Sequence, residues 1–435
     1  MNDRRCAVMT QLHQRRVMRL AKYCAGVLLL GVAILVAART PWGCGGPPPQ
    51  VPSQMPVTYE GVPTIRVLLT PRGLDRAVLS ATGGYAIMLD GKEVITSAGE
   101  LAPTIVSKAN PAWRIGDLTT EGQSLRLEPD QGAFAVLNQR AYRGCLELVA
   151  YGNTRLKVVN HLDMESYLAG VLAKELYPSW SLETFEAQAV AARTFAMYHV
   201  MTFGKSNSYD VGSNQSFQVY GGAAAETAKS WQAVRNTHGQ VLTCGPAGQE
   251  RVFMAQYSAC CGGSVSPASA IRNAEDIEPL RGGQECISCA ACPRYRWSPV
   301  RISKHHIYQA LAGSYDSVAK LQTISTLKVA QADESGRIVW IDIYGGKAKS
   351  RPVRIRGEDL RVAMLKSGLG DARKLYSINC RLKDVGEAIE FRDGKGFGHG
   401  VGLCQWGAEG RAATGDSAEQ ILQFYYPGAK LLRAY

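Results

Sequence analysis

The sequence predicts an α+β protein, with mixed short strands and helices forming a multi-lobed globule around a central cleft. Three observations predict it. Residues 63–159 run in short alternating apolar segments broken by turns, the pattern of half-buried strands. Residues 163–204 then change to the three-and-four spacing of two successive helices. Strands and short helices mix through 296–390, and two helices close the chain, with no internal repeat anywhere. At 435 residues, 46% apolar and 20% charged, the chain can bury a sizeable core and form two or three subdomains.

The first 50 residues differ from the rest. They hold seven basic groups (Arg4, Arg5, Arg15, Arg16, Arg19, Lys22, Arg39) against Asp3, which is half of the net charge of +12. The apolar run Tyr23–Ala38 follows the basic stretch, in the order of an export signal or membrane anchor. The long basic flank favours an uncleaved anchor with its tail inside, and a cleaved signal is the close competitor. Either way the globule is expected outside the cytoplasmic membrane, on its outer face, in the periplasm or in the wall. Pro41-Trp42-Gly43 before Cys44 is a poor lipoprotein box. The remaining charge is dispersed, with no basic stripe interleaved with aromatics, so nucleic acid is not an expected partner. The expected organisation is a tail and signal or anchor at 1–40, a proline-rich spacer at 41–60, a β-rich part at 61–145 and a main domain at 146–435.

Strands are expected at Thr64–Leu69 and Tyr85–Leu89, the latter before an Asp90-Gly91 turn, and around Leu125–Leu127, Leu146–Val149 and Ile338–Ile343. Asp163 suits a helix N-cap. The apolar residues Met164, Tyr167, Leu168, Val171 and Leu172 follow in helical order, Glu175 continues the stripe, and Pro178 ends it. A second helix opens at Ser181, with Phe185, Ala189, Ala192, Ala196 and Val200 on one face and Gly204 as C-terminal cap. A glycine-rich loop, Gly394–Gly402, feeds a helix at 405–414, and Asp416 or Ser417 caps the last helix before Pro427.

Glu175 is the sharpest chemical feature. A carboxyl on an apolar stripe is partly desolvated, which raises its pKa and suits a general acid near neutrality. The competing reading is an exposed glutamate at a frayed helix end, paired with a lysine such as Lys174. The glycine loop also has two readings. Glycines allow close backbone approach to a sugar chain, with His399 and Gln405 as donors and Trp406 as a flat face. The bland reading is a turn feeding a helix, with His399 packed or capping.

Four ordered segments resemble the sporulation stage II protein D (SpoIID)/LytB family. These are Val171-Leu172-Ala173-Lys174-Glu175-Leu176-Tyr177-Pro178-Ser179-Trp180 with Glu186–Ala196; Gln218-Val219-Tyr220-Gly221-Gly222; Tyr257–Gly263; and Gly398-His399-Gly400-Val401-Gly402-Leu403-Cys404-Gln405-Trp406-Gly407-Ala408, completed by Ile421–Gly428. The resemblance spans about 140–435 and is loose over 60–140. It implies a SpoIID-like fold and a lytic transglycosylase cutting the bond from N-acetylmuramic acid to N-acetylglucosamine in peptide-stripped glycan strands. Glu175 carries over as the catalytic acid and base, with no cofactor required. One carboxyl suffices because the sugar's own 6-hydroxyl attacks and gives a 1,6-anhydro end, whereas most glycosidases need a second carboxylate. His399, Gln405, Trp406, Gln218 and Tyr220 become candidates for lining the cleft. Arg193 is kept with them, although it and Gln188 read better as supports for the Glu175 loop. LytB-type relatives are described as enhancers of a cell-wall amidase, so a glycan-binding module that stimulates a partner amidase is the second function class.

Twelve cysteines complete the picture. Cys286-x-x-Cys289-x-x-Cys292, with Cys260-Cys261 upstream, can supply thiolates to tetrahedral zinc. The set expected is Cys261, Cys286, Cys289 and Cys292, a closed structural site. The resemblance implies His and Cys ligands in some relatives, but Ser258 stands where they carry His. Disulfides are the rival reading in an oxidising compartment. No chemistry is assigned to the scattered cysteines, Cys404 among them.

Overall fold

The computed structural model describes residues 60–435 apart from 110, 205–206, 215–216 and 347–350. The basic tail, the apolar run, the proline-rich spacer and Cys6, Cys24 and Cys44 lie outside the described residues. Among the described residues no helix is long and apolar enough to cross a membrane.

The alternating segments pair as the period of two requires. Arg155–Asp163 lies antiparallel between Thr64–Leu68 and Cys145–Tyr151. Ser124–Pro129, Tyr85–Leu89 and Lys92–Ser97 extend this into a seven-stranded sheet, with Val211–Gly212 at the opposite edge. Asp90 and Gly91 turn the Tyr85–Leu89 hairpin with φ of 48° and 79°, the doubly left-handed turn that matches strand twist. A six-stranded sheet runs from Arg140–Tyr142 through Arg76–Ala81 to Leu118–Glu121. Leu79, Val106 and Trp113 of this sheet share one core with Leu127, Leu148 and Val158 of the other.

Strand Arg155–Asp163 runs directly into helix α1 (Met164–Glu175), where the Asp163 carboxylate accepts from the Ser166 N–H at 2.9 Å. After a turn through Pro178, helix α2 (Leu182–Phe203) begins. Every residue of α2 from Ala187 to His199 is buried. Phe185, Ala189, Ala192 and Ala196 face the first core, as their spacing predicts. Ala187, Val190 and Ala191 face a second core, built with Phe253, Leu403, Ile421 and a group of cysteines. The helix therefore has two apolar faces rather than one, and its alanines let both cores approach closely. Gly204 follows α2 in right-handed conformation, so the cap does not use glycine's freedom; its carbonyl accepts from Arg66 at 2.5 Å.

Helix α3 (Ala228–Asn236) is absent from the expected elements, being short and mostly polar; Thr227 and Ser230 form a capping box at its start. A third core gathers Ile341 and Ile343 of strand Ile338–Tyr344 with helices α4 (Lys304–Ala312), α5 (Asp316–Ala319) and α6 (Gly357–Ser367). Helix α7 (Gln405–Ala412) and helix α8 (Ala418–Tyr425), the latter capped by Ser417, complete the second core. The α+β class and several lobes, each around its own core, are what the chain forms.

Glu165 of α1 and Arg193 of α2 make a buried bidentate pair, Nε to Oε1 at 2.9 Å and Nη2 to Oε2 at 2.6 Å. The Gln240 carbonyl accepts from Nη1 at 3.1 Å, and the Gly239 N–H and the Tyr435 hydroxyl reach Glu165 Oε1. Breaking one side of such a pair leaves an uncompensated buried charge. Arg193→Met is expected to cost about 3–5 kcal/mol of unfolding free energy, measured by urea denaturation. A loss below about 1 kcal/mol would show that the pair does not hold α1 to α2.

Candidate functional site

Glu175 ends α1, where the chain leaves helical geometry at Leu176. Its side chain is half-buried, and two groups from distant segments hold its carboxylate. Oε1 accepts from the Val219 N–H at 2.9 Å, and Oε2 accepts from the Gln405 side-chain amide at 3.3 Å. Burial raises the Glu175 pKa above the ordinary carboxyl value, and the two hydrogen bonds oppose this without cancelling it. The carboxyl is desolvated where the end of α1 meets the segment at Val219 and the start of α7.

Each partner is fixed in turn. Gln218 is fully buried; it accepts from the Tyr167 hydroxyl at 2.8 Å and donates to the Ala192 carbonyl at 3.2 Å, which presents Val219 to the carboxylate. Tyr220, also buried, donates to Asn160 at 2.9 Å. Gln218 and Tyr220 therefore build the wall behind Glu175, and Arg193 is consumed by Glu165. Gln188 is buried with both polar atoms unpartnered.

Gln405 opens α7, and three ties hold this helix. Cys404 caps it by accepting from the Gly407 N–H. Trp406 packs against Tyr177 and Trp180, with ring centroids at 5.6 and 5.1 Å. Glu409 accepts from the Ser181 N–H at 2.9 Å and from the Thr184 hydroxyl at 2.8 Å, so a carboxylate of α7 serves the N-terminus of α2. Lys229 donates to the Pro178 and Trp180 carbonyls at 2.8 and 2.6 Å, fixing the turn that carries Tyr177. Tyr177 is 51% exposed, an open aromatic two residues from Glu175 that the sequence motif contained but did not single out.

The glycine loop turns inward. At Gly400 (φ 76°) a Cβ would lie 2.4 Å from Arg337 Nη2, so the close approach that glycine permits is to the protein itself. Fully buried Arg337 donates to Ser266 Oγ at 2.8 Å and to the Gly398 and Cys261 carbonyls at 3.0 Å each. His399 Nδ1 accepts from the Val401 N–H at 3.1 Å, and burial pushes its pKa down to about 4. Through that nitrogen the ring braces its own loop. Arg337 and Tyr257 are further residues around the site that motif reading did not assign. The Tyr257 hydroxyl is buried beside Gln218 without a well-formed hydrogen bond; burial pushes its pKa well above the ordinary value, the Glu175 charge adds to that, and Gln218 opposes it.

The sulfur atoms of Cys261, Cys286, Cys289 and Cys404 all lie within 4.8 Å of one another. Three of these are the expected cysteines; the fourth is Cys404, not Cys292. Cys286 to Cys292 spans the 3-10 helix Ile287–Ala291. The Cys292 sulfur at its far end is not within 4.8 Å of the other three. The Cys292 sulfur accepts instead from the Arg294 N–H at 3.4 Å. All nine described cysteines are free thiols.

Comparisons with known proteins agree with this architecture. Residues 152–244 match the family described as Stage II sporulation protein (SpoIID), and residues 282–402 match a domain of unknown function (DUF8618). An uncharacterized protein of Brachyspira hyodysenteriae is 32% identical over 297 residues, covering 68% of this chain and 73% of that protein. The amidase enhancer of Bacillus subtilis is 28% identical over 352 residues, covering 72% of this chain and 48% of the relative. The stage II sporulation protein D of Bacillus subtilis is 26% identical over 292 residues, covering 63% and 76%. The chain belongs to the SpoIID/LytB family.

An unpartnered buried hydroxyl costs about 1–3 kcal/mol. Tyr257→Phe is therefore expected to leave stability unchanged or raise it by about 1 kcal/mol in denaturant titration. A drop of that size would show the hydroxyl to be bonded within the fold.

Proposed function

We propose that this chain is exported and cleaves the glycan strands of peptidoglycan as a lytic transglycosylase, with Glu175 as the acid and base. Family membership supports a cell-wall function. The observation that carries the finer reading is the half-buried Glu175 carboxyl, raised in pKa and held by Val219 and Gln405 beside the open ring of Tyr177. In its protonated form, which the raised pKa favours, Glu175 gives its proton to the glycosidic oxygen as the bond to the muramyl anomeric carbon breaks. The muramyl 6-hydroxyl closes on that carbon and returns its proton to Glu175. One side chain serves both transfers because the nucleophile belongs to the substrate. Tyr177 and Trp406 offer aromatic surface to the sugars, and the buried Tyr257 hydroxyl lies near the carboxyl behind them. The apolar run Tyr23–Ala38 would hold the enzyme at the outer face of the membrane as an anchor, or direct its export as a cleaved signal. A second reading, a glycan-binding partner of a cell-wall amidase, is favoured by the similarity to a protein named amidase enhancer.

The full-length protein incubated with peptide-free glycan strands is expected to release 1,6-anhydromuramyl ends, detected by mass. Glu175→Gln should lower that rate by about 10²–10⁴-fold, the usual contribution of acid–base catalysis. Equal product from both would remove Glu175 from the chemistry. No product from either, with stimulation of an added amidase, would establish the second reading. The pH dependence has a definite sign. A carboxyl whose folded-state pKa is raised contributes stability at pH values below the unfolded-state pKa, about 4.3, and loses it as pH rises through the folded value. Glu175→Gln should therefore match wild type in thermal stability near pH 4 and equal or exceed it at pH 7, while wild-type activity falls as pH climbs past the raised pKa.

A further inference from the structure

Cys404 holds two positions at once. Its sulfur is one corner of the four-cysteine cluster, and its backbone is the N-cap of α7, one peptide bond from the Gln405 that reaches Glu175. We propose that a soft divalent ion of the zinc type, held by Cys261, Cys286, Cys289 and Cys404, clamps the first turn of α7, so that metal occupancy sets the position of Gln405 against Glu175.

The cluster fits such an ion. Zinc–thiolate bonds of about 2.3 Å arranged tetrahedrally put sulfurs about 3.8 Å apart. Cys261 and Cys289 sulfurs stand at 3.7 Å, far beyond the roughly 2.05 Å of a covalent disulfide. The four cysteines are between 0% and 1% exposed. The surroundings suit anionic sulfur: the Cys404 sulfur accepts from the Cys261 N–H at 3.2 Å and the Gly407 N–H at 3.4 Å, and the Tyr425 hydroxyl lies 3.0 Å from the Cys286 sulfur. At Gly407 a Cβ would stand 2.5 Å from the Cys286 sulfur, so the helix carries no side chain where the cluster needs room. Four thiolates around a divalent ion leave a net charge of −2. The fully buried Arg337 guanidinium, bonded to the Cys261 carbonyl, is the nearby compensating cation. A site closed by four sulfurs has no open position for substrate, so the ion would act through structure.

The ligands come from three separate stretches. Cys261 follows strand Tyr257–Ser258, which pairs in parallel with Leu403–Cys404. Cys286 and Cys289 belong to the 3-10 turn that packs on α7. The ion would thus join the strand before α7, the strand beside it and the turn across it. Further along, Glu409 ties α7 to Ser181 and Thr184 independently of the sulfurs. Loss of the ion is expected to free the first turn of α7 and leave its second half in place.

The clamp stands on the geometry; its catalytic consequence rests on the reading of Glu175 as the acid. Three measurements on the full-length protein test it. Metal analysis should find about one zinc per chain. With cobalt(II) in its place, wild type and Cys292→Ser should show equal thiolate-to-cobalt charge-transfer absorption. Cys404→Ser should keep about three quarters of it and bind zinc at least about tenfold more weakly, the lower end of what losing even an outer-shell partner costs. Hydrogen exchange before and after chelation should quicken across 403–408 and stay unchanged at 409–412. Metal-free protein with its cluster cysteines oxidised in pairs would overturn the site, as would Cys292→Ser losing absorption in place of Cys404→Ser. Unchanged exchange at 403–408 after chelation would overturn the clamp, and this wild-type comparison decides even if Cys404→Ser does not fold. Exchange that follows the metal while glycan strands stay uncut would refute the cleavage reading and leave the clamp standing.

Discussion

A helix buried on both faces must find partners inside the protein for the polar side chains it carries; α2 does so at Arg193 and Thr194, though not at Gln188, and those bonds set a constraint for the rest of the molecule. Arg193 meets Glu165, and the Thr194 hydroxyl donates to the Val190 carbonyl while accepting from the Leu242 N–H. Those bonds fasten α1 on one side and the strand at 240–244 on the other. The carbonyl of Ala192 accepts from Gln218, so the loop that offers Val219 to Glu175 is also hung from α2. Glu409 reaches its N-terminus from α7. The three segments that meet at the carboxyl of Glu175 are thus all registered against one helix, and a group on such a frame can be placed accurately without being rigid itself.

The chemistry follows from a balance that burial wins. A carboxylate with two donors would ordinarily be a stronger acid than usual. Here one donor is a backbone N–H and the other an amide at 3.3 Å, and desolvation outweighs both. The two donors differ in a useful way. The Val219 N–H can only donate, so Oε1 remains an acceptor. The Gln405 amide can present either its nitrogen or its oxygen after a half-turn, and can face Oε2 both charged and protonated. Gaining and losing a proton at one oxygen is what a group acting first as acid and then as base must do.

Much of this was legible in the sequence, and the failures have physical causes. The α1 stripe, the Asp163 cap and the stop before Pro178 were readable because they are local, and together they predicted a desolvated Glu175. The second apolar face of α2 was not, because Ala187 and Ala191 are small enough to read as neutral filler until a second core is known to lie against them. Helix α3 is only nine residues long, and its capping box has Ser230 where a glutamate or glutamine would advertise it, so its short stripe of Trp231 and Val234 is easily missed. The regular spacing of Cys286, Cys289 and Cys292 suggests a shared site, whereas the fourth corner, Cys404, arrives from more than a hundred residues away, a contact that no local pattern announces. Tyr177 was quoted within a motif but was not distinguishable as the exposed ring of its cluster, since exposure is a property of the packed turn.

The glycine loop makes many of its contacts with the protein itself. Its backbone is gripped by Arg337 through Gly398, its histidine spends Nδ1 on Val401, and Gly400 makes room for a guanidinium rather than for a sugar. What the loop delivers is its far end. Leu403 and Cys404 pair with Tyr257 and Ser258, and the next residue begins a helix with an amide on Glu175 and an indole against Tyr177. On the proposed reading, the surface left for a glycan is the turn from Glu175 to Trp180 together with the first turn of α7. That surface is aromatic and held from behind, whereas the glycines lie on the supporting side. A buried loop that fixes one amide at 3.3 Å from one carboxyl accounts for Arg337, His399 and Gly400 together, while a loop that gripped substrate directly would leave their inward bonds without a purpose.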